Sequence, residues 1–86
     1  MPELSRFYGI IIYMFWKDHA PPHFHAGYGE DEALILIDSW EIYKGSLPPR
    51  ALKLVREWAD LHKEEIKQHW ADAVQSKPLT KIDPLP

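Results

Sequence analysis

Residues 6–16, RFYGIIIYMFW, are apolar at both alternations. Phe7, Ile11, Tyr13 and Phe15 fall on one side of an extended chain, and Tyr8, Ile10, Ile12, Met14 and Trp16 on the other. A run of this kind predicts a strand covered on both faces. One helix covers only one face of a small sheet, so the C-terminal tail or another subunit is expected over the second. The prolines of APPH end the run. HFHAGY at 23–28 alternates again, with His23, His25 and Gly27 on one face and Phe24, Ala26 and Tyr28 on the other. GED at 29–31 is a turn signal, EALILID at 32–38 a further strand, DSW a turn and EIYKG at 41–45 a short strand. Connections this short predict an antiparallel meander of three to four strands over residues 1–45.

The period changes after Ser46. Pro48 and Pro49 suit a first helical turn, with Ser46 or Leu47 at the cap. At about 100° per residue, one stripe collects Ala51, Leu52, Leu54, Val55, Trp58, Ala59, His62, Ile66, His69, Trp70 and Ala73. Lys53, Arg56, Glu57, Asp60, Lys63, Glu64 and Lys67 fall opposite. The pattern predicts one long amphipathic helix within residues 46–75, about 40 Å in length. SKPLTKIDPLP then reads as an extended tail over 76–86, whose Leu79, Ile82 and Leu85 can pack back onto the sheet. The expected class is α+β: a meander, one long C-terminal helix on one face, and a proline-containing tail.

A chain of 86 residues is expected to form a single domain with a thin core. It has no cysteine, which excludes disulfides and thiolate metal sites. The N-terminus lacks the basic start of a secretory signal, and the longest apolar run, YGIIIYMFW, is about half a membrane span. The expectation is a cytoplasmic protein with no membrane association. A net charge of −3 argues against a generic nucleic-acid coat. The four Trp, four Tyr and three Phe suit both an aromatic core and a partner interface.

The candidate chemistry is concentrated in DHAPPHFHAGYGE, residues 18–30. His23 and His25 project from one face of their strand and can share a metal. His19 lies four residues earlier, across the Pro-Pro turn, and Asp18 beside it can orient a ring nitrogen. Three neutral imidazoles would suit a divalent transition metal such as zinc, with His62 or His69 as further ligands from the helix stripe. The same His19, His23 and His25 could instead act as proton-transfer groups or RNA contacts, or serve only as loop and core residues without any cofactor. Arg50, Lys53 and Arg56 form a basic row at the helix start, where cations oppose the helix dipole. They suit an anion such as an RNA backbone, or a solvated surface. No glycine-rich phosphate loop, nucleophile elbow or HExxH motif is present.

GIIIYMFWKDHAPPHFHAGYGE resembles a bacterial family known as a domain of unknown function, DUF4160. MPELSRFYG, LPPRALKLVREWADLH and KIDPLP resemble it in the same order, so the resemblance covers nearly the whole chain. Near Trp40 the pattern leads one to expect Gly or Asn. The resemblance implies a small cognate protein encoded nearby, in a pair resembling a toxin–antitoxin module, and hence a homo- or hetero-oligomer. A toxin of this kind would act on RNA, with His23 and His25 as acid and base and Arg50 or Lys53 on phosphate.

Overall fold

The computed structural model describes residues 2–86. Five strands form one antiparallel sheet in sequential order: β1 (Glu3–Phe7), β2 (Ile10–Tyr13), β3 (His23–Tyr28), β4 (Asp31–Leu36) and β5 (Ile42–Gly45). Two helices follow, α1 (Pro49–Leu61) and α2 (Lys63–Val74). The class is α+β, with five strands where three to four were expected and two helices where one was.

The extra strand comes from the first apolar run. It is not one strand but most of a hairpin, reversed at Tyr8 and Gly9, whose φ values are +49° and +82°. Two consecutive positive φ values match the right-handed twist of the flanking strands, a position that usually takes Asn-Gly. Phe7 pairs with Ile10 and Arg6 with Ile11. The remaining registers place Ile12 opposite Ala26, Tyr13 opposite His25, and His25 opposite Leu34. Residues directly opposite share a face. Ile10, Ile12, Phe24, Ala26, Ala33 and Ile35 therefore form the core face, all fully buried. Ile11, Tyr13, His23, His25, Leu34 and Leu36 lie on the other.

Helix α1 covers the core face. Trp58 is fully buried, stacks on Phe7 at 5.6 Å between ring centroids and meets Phe24 edge-on at 5.9 Å. At His62 (φ −121°, ψ 28°) the chain leaves helical geometry before re-entering as α2. The expected single helix of about 40 Å would overhang a molecule measuring 33 × 26 × 22 Å. The break lets Ile66, His69 and Ala73 reach the core. The two segments bury one continuous stripe, which is why the break leaves no mark in the periodicity.

The tail packs as expected through Ile82, with Leu79 and Leu85 partly buried against the core. It joins the α1 side of the sheet: Ile82 N–H donates to the Leu4 carbonyl at 2.7 Å and Trp58 Nε1–H to the Asp83 carbonyl at 2.8 Å. Ile82 and Asp83 bond on this side; on the second face Ile11, Leu34 and Leu36 stay partly exposed. Where the family resemblance leads one to expect Gly or Asn nearby, Trp40 itself takes the left-handed conformation (φ +59°). Its burial and three hydrogen bonds hold it there: its N–H to the Leu36 carbonyl, its indole N–H to Asp60, and its carbonyl accepting from Arg56 Nε. Among the described residues no helix is long and apolar enough to cross a membrane.

Candidate metal centre

The loop between β2 and β3 folds Asp18 back over the first half of β3. Lys17 N–H donates to the Ala73 carbonyl at the end of α2, and Trp16 Nε1–H to the Lys77 carbonyl. These bonds fix the loop from its α2 side. Asp18 Oδ1 accepts from the backbone N–H of His19 at 2.8 Å. Its other oxygen, Oδ2, lies 3.0 Å from His23 Nε2 and 3.1 Å from His25 Nε2. The three donor atoms lie within 4.8 Å of one another.

The protons in this cluster are constrained. His23 Nδ1 is 2.7 Å from the Pro21 carbonyl oxygen, which only accepts, so Nδ1 carries the proton. In the neutral ring Nε2 then presents a lone pair to an Asp18 oxygen that is also an acceptor. A cation placed among the three atoms relieves that opposition. His25 is oriented by packing: it stacks on Tyr13 at 4.8 Å and meets Phe15 edge-on at 4.8 Å, while its buried Nδ1 has no hydrogen-bond partner among the described residues. Both imidazoles are buried, at 3% and 7% exposure.

Burial is the largest influence on His25 and pushes its pKa down, helped by the neighbouring His23 and opposed by Asp18. For Asp18 burial is again the largest single influence and acts upward. The hydrogen bonds from His25 and the His19 N–H, with the charges of His23 and His25, outweigh it and hold the carboxyl below its usual range. Metal binding requires a charged carboxylate and an unprotonated ring nitrogen, and the lowered pKa values of Asp18 and His25 favour these forms.

The structure thus brings together two of the three strand and loop histidines and adds Asp18. His19 does not converge: it is exposed and contributes only its backbone N–H. His62 and His69 do not converge either, because α1 covers the opposite sheet face. His62 Nδ1 bonds Glu65 Oε1, and His69 bridges the carbonyls of Glu65 and Thr80. The helix residue that reaches the site is Trp70, whose ring lies 5.2 Å from His23. Arg50 lines a cleft of about 270 Å³ with Tyr8 and Tyr28, at the far end of β3 from His23. Arg56 is engaged by the Trp40 carbonyl. The basic row Arg50, Lys53 and Arg56 therefore belongs to α1 and not to the histidine cluster.

Asp18 was legible only as a neighbour able to orient a ring. Its convergence on both imidazoles depends on the loop folding back, which spacing alone does not give. The aromatic surround of Phe15, Tyr43 and Trp70 carried no sequence signal.

No curated protein and no solved structure is a match to this chain. Residues 9–71, well over half of it, match the family described as "Domain of unknown function (DUF4160)". The matched span includes the loop and strand that hold Asp18, His23 and His25, and the chain belongs to that family.

Proposed function

We propose that the protein binds a divalent transition metal through Asp18 Oδ2, His23 Nε2 and His25 Nε2. The observation that carries this reading is the His23 ring. Its Nδ1–H is committed to the Pro21 carbonyl at 2.7 Å, so its Nε2 lone pair is aimed at the carboxylate. A backbone carbonyl fixing the far nitrogen is the usual support of a metal-bound histidine. The N–O separations of 3.0 and 3.1 Å suit adjacent ligands of one ion, since bonds of about 2.1 Å at right angles hold ligands about 3.0 Å apart.

Two histidines and one carboxylate leave coordination positions open, which is characteristic of catalytic rather than purely structural metal sites. The metal would act there as a Lewis acid or lower the pKa of a bound water. The residues hold and orient it: Pro21 sets the His23 tautomer, Tyr13 and Phe15 clamp His25, and the His19 N–H turns Asp18.

Untagged protein, purified without chelator and examined by elemental analysis, is expected to carry one equivalent of metal or to take one up. Asp18→Asn, His23→Ala and His25→Ala each abolish uptake, whereas His19→Ala does not. Wild-type protein that neither carries nor takes up zinc, manganese or iron(II) would exclude the reading. Membership of a toxin–antitoxin-like gene pair, with a small cognate protein as partner, is compatible with such a site. It is tested by co-purification with the neighbouring gene product.

A further inference from the structure

Two of the rings around the histidine pair, Phe15 and Tyr43, are open to solvent, as is Trp16 in the adjoining loop. Phe15 is 41% exposed, Trp16 46% and Tyr43 45%. They do not form one apolar patch. Phe15 sits edge-on to His25 at 4.8 Å, whereas Tyr43 lies 6.3 Å from His23. One ring therefore stands on the His25 side of the cluster and another on the His23 side, with the three ligand atoms between them. Trp16 is held beside this loop by its bond to the Lys77 carbonyl. A core needs none of these rings, since the core face is filled by Phe7, Phe24 and Trp58 on the opposite side of the sheet.

Two cations near the cluster are free of ion pairs. Lys17 adjoins Asp18, and Lys44 Nζ lies 5.7 Å from the Tyr43 ring centroid. Both are exposed, and among the described residues neither lies within ion-pair distance of a carboxylate. A dication on Asp18 would offset the one acidic side chain that the cluster itself contains. The chain as a whole carries −3, so this attraction for anions is local.

From this arrangement we infer that the site's ligand is a single-stranded nucleic acid, lying with a phosphate over the metal and bases on the rings at either side. The inference rests on the metal reading above. Aromatic faces stack any base, and stacking beside cations is how single strands are held without sequence readout. A phosphate oxygen is a hard anionic ligand suited to an open position on a divalent ion. A purely apolar peptide would match the rings but leave Lys17, Lys44 and the metal unanswered.

The test uses the full chain loaded with manganese and fluorescein-labelled 12-mers of uridine and of deoxythymidine, followed by anisotropy at low and moderate salt. Metal content is measured in the same samples. Binding of either oligomer is expected, weakening with salt as phosphate contacts do. In Tyr43→Ala binding falls by tenfold or more while metal uptake is unchanged, since this side chain is exposed and its ring lies 6.3 Å from that of His23. Lys44→Glu weakens binding as well. Metal uptake without oligomer binding overturns this inference alone, as does Tyr43→Ala protein that binds like wild type. Uridine monophosphate bound as tightly as the 12-mer would overturn the strand in favour of a nucleotide. Failure to take up metal removes the site reading and this inference together.

Discussion

His69 joins α2 to the C-terminal tail through one ring: Nε2 lies 2.8 Å from the Thr80 carbonyl oxygen, while Nδ1 lies 2.7 Å from the carbonyl of Glu65. The ring is buried, and the Thr80 hydroxyl, at 3.3 Å from Nε2, is a further partner. His69→Ala removes the ring that bridges these carbonyls and opens a cavity. It is expected to cost about 2–4 kcal/mol in urea unfolding. Proteolysis between residues 77 and 82 should accelerate more than cleavage elsewhere. An unchanged midpoint would refute this role.

The histidine cluster sets a pH dependence in metal-free protein. The His25 pKa is depressed in the folded chain, so its contribution to stability is complete above about pH 6.5, the ordinary histidine value. It is lost as pH falls through the folded value, because the unfolded chain takes up the proton first. Asp18 is also depressed, and its contribution is lost at more acid pH, below about 3.9. Denaturant midpoints measured in chelator should therefore decline from pH 7 toward pH 5. His25→Leu should flatten that part of the curve. A wild-type midpoint that is level over this range would count against the assignment.

Gly45 admits no side chain. Its φ is +79°, and an added Cβ would overlap the Glu32 carbonyl oxygen across the β4–β5 pair. Gly45→Ala is expected to separate β5 from β4 or prevent folding, with a loss above about 2 kcal/mol from strain and overlap together. Soluble protein with wild-type stability would show that the edge pairs differently.

Ser5 makes the opposite prediction. Its hydroxyl is buried with no partner among the described residues, beside a register irregularity in β1. Ser5→Ala removes a desolvated polar group without removing a contact. It should leave stability unchanged or raise it by up to about 1 kcal/mol. A clear loss in calorimetry would mean that the hydroxyl is satisfied in solution.

Much of the architecture was legible because it rests on periodicity. HFHAGY matches β3 residue for residue, and its alternation placed both histidines on one face and Phe24 on the other. The helical stripe named Ala51, Val55, Trp58, Ile66 and Ala73, all buried. The hairpin at Tyr8 was hidden because tyrosine is not a residue that announces positive φ, and apolar neighbours continued on both sides. The break at His62 was hidden because 55, 58, 62, 66, 69 and 73 keep one phase through it. At the site, strand spacing paired His23 with His25. The fold-back that adds Asp18 and excludes His19 depends on bonds to α2 and the tail, more than fifty residues away. Local pattern carries no information about such contacts.

The bond from Ile82 to Leu4 has a consequence beyond holding the tail. β1 is a terminal strand of the sheet, and a bare terminal strand invites another chain to add to it. The tail occupies that margin with its own backbone and sets Ile82 into the core beside it. It acts as a guard against self-templated growth. A chain ending at residue 76 would expose the amide row of β1 and lose the Lys77 carbonyl that holds Trp16, and its characteristic fault would be polymerisation.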